Sequence, residues 1–162
     1  MKVLLTGCAG FIGSAIHDQL AAAGHDVCVF DRALDSRNDI LDHDRLRTAA
    51  AGCEALVHLA AKVGLEVDIL DIDDCALQND LGTAIALRVA AEEGISRFLY
   101  ASSMVVYGEG SYRCTNHGSV RPPPRQRNDL DARRFDPRCP RCGDDLIPVL
   151  VTESAQLDPR NS

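Results

Sequence analysis

Three glycines at fixed spacing, Gly7-x-x-Gly10-x-x-Gly13, separate the apolar run Val3-Leu4-Leu5-Thr6 from Phe11-Ile12 and the segment behind it. Between a strand and a helix, that spacing suits a dinucleotide. Gly7 permits a sharp turn, Gly10 removes a side chain where a pyrophosphate must approach, and Gly13 lets the helix pack closely on the strand. The phosphates then meet free N–H groups at the helix N-terminus. The glycines alone also fit a tight βα turn with no ligand. Asp31, 18 residues after Gly13 at the end of the next apolar run, strengthens the first reading. A carboxylate there accepts hydrogen bonds from ribose hydroxyls and repels a 2′-phosphate, which favours NAD over NADP. Arg32 beside it weakens that preference, and a solvated strand-end carboxylate is the plainer alternative for Asp31.

A second constellation lies far downstream. Cys114-x-x-His117 and Cys139-x-x-Cys142 are separated by 21 residues, and each pair is followed by a glycine, Gly118 and Gly143. Such turns aim N–H groups at thiolates and bring two side chains to one ion. Three sulfurs and one nitrogen suit tetrahedral zinc in a ribbon-like insertion. With every position filled by protein, that zinc is structural and stabilises a polar segment with little core of its own. Unrelated cysteines in a loop, or a redox-active Cys139/Cys142 pair, are the other readings. The remaining cysteines, Cys8, Cys28, Cys53 and Cys75, sit in apolar segments and read as small buried hydrophobes.

The 162-residue chain has a net charge of 17 − 24 = −7, which disfavours general nucleic-acid binding. Residues 113–141 run against that trend with eight Arg and three Asp, a balance of +5. No aromatic residues interleave Arg121, Arg125 and Arg127, so a solvated surface is preferred to a nucleic-acid platform. No apolar run reaches the roughly 18 residues of a membrane span, and no secretory leader pattern opens the chain. A soluble, cytoplasmic protein is expected.

These residues must be positioned by alternating elements. Strands are expected at 2–6, 27–31, 55–59 and 97–101, and helices at 11–23, 42–51 and about 75–93, closed by Gly24, Gly52 and Gly94. Continuously apolar strands alternating with helices imply an α/β fold, a Rossmann-type doubly wound parallel sheet, here incomplete, with a small Cys/His insertion. Residues 1–108 form the dinucleotide-binding portion, 109–145 the insertion with Pro122-Pro123-Pro124, and 146–162 a return segment.

Several pieces in order carry a family resemblance: Thr6 to Gly13, Asp31, Asp39-Ile40, His58-Leu59-Ala60-Ala61, Asn79 with Gly82-Thr83, and Ala101-Ser102-Ser103-Met104-Val105-Val106-Tyr107-Gly108. The chain resembles the extended short-chain dehydrogenase/reductase family, in its NAD-dependent epimerase/dehydratase branch. The resemblance implies NAD as cofactor and a nucleotide-sugar-type substrate, and homodimers are common in the family. It implies cofactor contacts from Gly7, Gly10, Phe11, Ile12, Gly13, Asp31, Arg32, Leu59, Ala60, Ala61, Lys62 and Ser102. Asp39 and Ile40 would contact the adenine, and Asn79 would hold helix geometry near the active site. Ala60 and Ala61 also read as packing residues.

By the same resemblance Ser103 is the catalytic serine, its hydroxyl bonding a substrate oxygen during hydride transfer; locally, a serine capping the next turn reads equally well. The family's acid/base is a tyrosine followed four residues later by a lysine that lowers its pKa. Tyr100, Tyr107 and Tyr112 are followed at that spacing by Met104, Ser111 and Asn116. The segment from Glu153 to Ser162 resembles the one preceding that tyrosine. The expectation is an N-terminal fragment, truncated product or degenerate copy that is inactive as written. The alternative is a non-catalytic dinucleotide-binding or zinc-bearing interaction module.

Overall fold

The computed structural model describes residues 1–64 and 69–159. They fall into two compact units, Met1–Ala101 and Ser102–Ser162. In the first, β1 (Lys2–Thr6), β2 (Asp26–Phe30), β3 (Ala55–His58) and β4 (Arg97–Tyr100) form one parallel sheet in the order β2-β1-β3-β4. Parallel neighbours cannot be joined by hairpins, so each connection is a helical crossover. The crossovers are α1 (Phe11–Ala22), α2 (His43–Ala50) and a composite helix between β3 and β4. Asp42 caps α2 by accepting from Arg45 N–H at 3.0 Å. Gly24 ends α1 at φ +78°, with His25 N–H reaching back to the Leu20 carbonyl.

The expected helix over about 75–93 is three pieces: α3 (Ile72–Cys75), a π-helical stretch (Ala76–Leu81) and α4 (Gly82–Glu92). The wide turn spans only the six residues Ala76–Leu81, too short a stretch for apolar spacing to tell from an α-helix. Gly82 lies inside this helix for a packing reason. A Cβ there would stand 2.9 Å from Ile40 Cγ2, so glycine is what admits Ile40 to the core.

The two sheet faces are unequally covered. Leu4, Phe30 and Leu56 pack with Leu46 and Ala50 of α2 and with Ala86, Val89 and Ala90 of α4, joined by Ile40 and Ile95. On α1, by contrast, Gly13 is the buried residue, and Val29 and Leu99 stay 41% and 55% exposed.

In the second unit, β5 (Ser111–Cys114), β6 (Gly118–Val120) and β7 (Ile147–Val149) form an antiparallel sheet in the order β6-β5-β7. A short α5 (Arg127–Asp131) lies between β6 and β7. The buried cluster is Cys114, Cys139 and Leu146, flanked by Tyr112 and Val120. This compact unit runs from Ser102, and Ile147–Val149 of the return segment give β7 to the small sheet. Asp158 N–H donates to the Val106 carbonyl at 2.7 Å, and Arg121 bonds the Gln156 carbonyl, tying the last described residues to the turn after Ser103. Among the described residues no helix is long and apolar enough to cross a membrane.

Candidate functional site

The glycine turn lies at the carboxyl ends of β1, β2 and β3, and its atoms show what each glycine is for. A Cβ on Gly7 would stand 2.6 Å from Ala60 N and from Leu59 C, so the chain after β3 lies directly against the turn. A Cβ on Gly13 would meet Gly7 O at 2.0 Å and Cys8 Cα at 2.8 Å. Gly10 differs: its Cβ would meet only Gly7 O, at 3.4 Å, and its outer side is open. Gly10 is also the N-cap of α1 and makes no side-chain cap, which leaves first-turn N–H groups without intrahelical partners. Phe11 and Ile12 hold their side chains outward, Phe11 at 95% exposure. A backbone opening beside uncapped N–H groups is the cradle an anionic pyrophosphate requires.

Asp31 does more than end β2. One carboxylate oxygen accepts Ala9 N–H at 2.9 Å and the other accepts Ala33 N–H at 2.8 Å. It thereby locks the glycine turn to the loop after β2, and each oxygen keeps a lone pair for a hydroxyl donor. Its charge, after burial, is the second cause that raises the Cys8 thiol pKa, so Cys8 is a buried hydrophobe beside the turn and not a nucleophile. Arg32 reaches Asp39 at 3.4 Å. The loop is braced by Asp35, which accepts from Arg37 and Arg45 at 2.8 Å each; hydrogen bonding to Arg37, foremost, holds its carboxyl down at about 2.

The resemblance set Asp39 and Ile40 against the adenine. Ile40 is 5% exposed and its side chain belongs to the apolar core. Its backbone and the Asp39 carboxylate are what remain for a base edge. One Asp39 oxygen accepts Leu41 N–H at 3.0 Å.

A buried polar relay that sequence reasoning missed joins the strand ends. Thr6 Oγ1 accepts Leu59 N–H at 3.2 Å and Ala60 N–H at 3.3 Å, and lies 2.8 Å from His58 Nδ1. With both lone pairs engaged, the hydroxyl proton goes to Nδ1. His58 is then the Nε2–H tautomer, donating to Thr83 Oγ1 at 3.2 Å. Burial lowers its pKa, which keeps the ring neutral as the relay demands. The signal was available: Thr6 and His58 are polar residues in otherwise apolar strands.

Asn79 sits on the π-helical stretch and clamps the segment after β3 from both sides. Its Oδ1 accepts Lys62 N–H at 2.8 Å and its Nδ2 donates to the Lys62 carbonyl at 3.1 Å. The Lys62 ammonium pairs with Asp74 at 2.8 Å, which raises its pKa. Ala61 is exposed beside it.

Ser102 and Ser103 belong to the second unit and are exposed. Ser103 Oγ accepts Val105 N–H at 3.3 Å, capping the single turn Met104–Tyr107. Its hydroxyl proton remains available as a donor.

The Cys/His residues converge in the same unit. The ligand atoms of Cys114, His117, Cys139 and Cys142 all lie within 4.8 Å of one another. Cys114 Sγ is 3.5 Å from His117 Nδ1 and 3.6 Å from Cys142 Sγ, and Cys139 Sγ is 3.6 Å from His117 Nδ1. The β5–β6 hairpin supplies the first pair, closed where Cys114 faces Gly118. A knuckle supplies the second, with Gly143 N–H on the Cys139 carbonyl at 2.8 Å.

Comparison with known proteins agrees with this arrangement. Residues 3–130 match the model of the NAD dependent epimerase/dehydratase family. A dTDP-L-rhamnose 4-epimerase of Burkholderia thailandensis is 31% identical, the match covering 83% of this chain and 43% of that protein. The UDP-glucose 4-epimerase of Brucella ovis in complex with NAD superposes with a TM-score of 0.62 at 28% identity, over 68% of this chain and 38% of that one. A short-chain dehydrogenase/reductase superfamily protein of Agrobacterium tumefaciens with bound NAD gives 0.61 at 30%, over 71% and 36%. The chain thus spans about two fifths of the length of these relatives. An open Gly10, an Asp31 tethered to the turn, a parallel β2-β1-β3-β4 sheet and a matching family model lead to one conclusion: the chain belongs to the NAD-dependent epimerase/dehydratase family.

Proposed function

We propose that this chain supplies the NAD-holding portion of an epimerase or dehydratase acting on a nucleotide sugar in the cytoplasm. The observation that carries the reading is the open backbone at Gly10 beside the uncapped start of α1, with Asp31 fixed next to it by Ala9 N–H. Pyrophosphate oxygens would accept from the N–H groups of Phe11 and Ile12. Asp31 would accept the adenosine ribose hydroxyls on its free lone pairs. Asp39 and the Ile40 backbone would edge the adenine, and Leu59, Ala60 and Ala61 would line the path toward the nicotinamide ribose. When bound, NAD supplies the hydride acceptor and donor. The nucleotide-sugar assignment rests on relatives named for dTDP-L-rhamnose and UDP-glucose, and a homodimer is proposed by resemblance to the family.

Ser103 would donate its hydroxyl proton to a sugar oxygen during that transfer. Proton movement at the substrate then needs a base that Tyr100, Tyr107 and Tyr112 do not supply, none having a lysine four residues on. Residues 1–162 by themselves therefore bind NAD without turning a sugar nucleotide over. Calorimetric titration of the purified chain should give tighter binding of NAD than of NADP. The reverse order would overturn the role of Asp31, and turnover of a UDP- or dTDP-sugar by the pure chain would overturn its inactivity.

A further inference from the structure

The geometry points to a structural zinc ion held by Cys114, His117, Cys139 and Cys142, which fastens the Ser102–Ser162 unit. Zn–S bonds of about 2.3 Å and Zn–N bonds of about 2.0–2.1 Å give tetrahedral edges of about 3.8 Å between sulfurs and about 3.6 Å between sulfur and nitrogen. The observed Cys114–Cys142 separation is 3.6 Å, and the two sulfur–nitrogen separations are 3.5 and 3.6 Å. Those three separations match edges of one tetrahedron, and all four ligand atoms lie within 4.8 Å of one another. His117 faces the centre through Nδ1.

Cys114 and Cys139 are 1% and 2% exposed, so their sulfurs face the cluster interior rather than water. A disulfide between Cys139 and Cys142 would leave Cys114 and His117 facing each other with no function for their convergence. A soft sulfur set with one imidazole selects zinc among the common divalent ions. All four positions are filled by protein, so no site is open for substrate or water and the ion does no catalysis.

Its task follows from what else holds the unit together. The buried apolar cluster is Cys114, Cys139 and Leu146, two of them ligands. The ion joins the β5–β6 hairpin to the knuckle that leads into β7, two segments 21 residues apart. Through that frame it steadies the Met104–Tyr107 turn behind Ser103 and the chain near Asp158 that bonds it. Binding breaks Zn–water bonds, forms three Zn–S bonds and one Zn–N bond, and releases the thiol protons to solvent; nothing is oxidised or reduced.

The test uses the whole chain, purified under reducing conditions. Elemental analysis should find about one zinc per chain. Exchange for cobalt(II) should give the intense d–d absorption of a tetrahedral ion together with sulfur-to-cobalt charge transfer. Cys142→Ser, at the exposed rim, should weaken zinc against a competing chelator by more than the ~10–100-fold that loss of an outer-shell partner costs. Cys28→Ser, outside the cluster, should leave zinc content unchanged. Should Cys142→Ser aggregate, the cobalt spectrum of the unmodified chain decides alone. Well under one zinc after reconstitution, iron–sulfur absorption, or a Cys139–Cys142 disulfide in the chelator-treated and untreated protein alike would each overturn the assignment.

Discussion

Met1–Ala101 and Ser102–Ser162 are held together by different physics. The first buries a continuous apolar cluster of eleven residues from Leu4 to Ile95, and its polar interior is a satisfied relay. The second buries three residues in its cluster, two of which carry thiols facing an imidazole. Burial of apolar area stabilises the one at about 25 cal/mol per Å². The other has too little area for that, and the zinc inferred at its Cys/His set would do the same work. On that inference one half should fail gradually as side chains are truncated, and the other should fail when a single ligand is removed.

The largest effect is expected at Cys139→Ser. Structural zinc binding supplies on the order of 10 kcal/mol of folding free energy, so amides of β5, β6 and β7 should lose hydrogen-exchange protection while those of β1–β4 keep theirs. Loss of protection in both units would erase the contrast. Leu56→Ala, at 0% exposure in the centre of the first cluster, should cost about 2–5 kcal/mol in denaturant unfolding without changing metal content. Gly13→Ala comes next. Its methyl would stand 2.0 Å from Gly7 O, a backbone contact that must open the turn, costing about 1–3 kcal/mol and abolishing NAD binding in calorimetry. Asp31→Asn keeps the side chain's shape and one acceptor. NAD affinity should fall by about tenfold, and the preference over NADP should narrow; an unchanged ratio would remove Asp31 from recognition.

The smallest effect is on pH dependence. Burial lowers the pKa of folded His58, whereas the unfolded chain titrates near the ordinary 6.5. Below that value the unfolded state holds more protons, so this group's contribution to stability falls as pH drops, by at most about 1.4 kcal/mol per unit. His43 opposes it. Hydrogen bonds to Asp44 and Glu92 raise its pKa, so its exposed contribution is present at low pH and fades as pH rises through the raised value. Nitrogen-resolved NMR should show His58 as the Nε2–H tautomer across neutral pH. A protonated Nδ1 would contradict the relay through Thr6.

Legibility followed the same division. The strands β1–β4 and the crossovers α1 and α2 were readable because buried parallel strands are apolar runs and glycines close the helices. The antiparallel strands of the second unit were not, since they bury a cluster of only three residues and carry no apolar stripe; only the spacing of Cys114, His117, Cys139 and Cys142 betrayed the unit. The burial of the Ile40 side chain was not legible because a motif position does not say which way a side chain turns, nor that Gly82 leaves it room. Asp31 was legible as a carboxylate at the right place, but its grip on Ala9 N–H depends on a loop path no local pattern encodes.

The π-helical stretch at Ala76–Leu81 also bears on which lengths of chain this fold tolerates. A single-residue deletion in an ordinary α-helix turns everything beyond it by about 100°, which would carry Ala86, Val89 and Ala90 of α4 out of the core. Within the wide turn, the same deletion leaves an α-helical turn and keeps α4 in phase. What would be surrendered is the aim of Asn79, and with it the two-sided clamp on Lys62. One extra residue here thus acts as a spacer that sets where a single amide points.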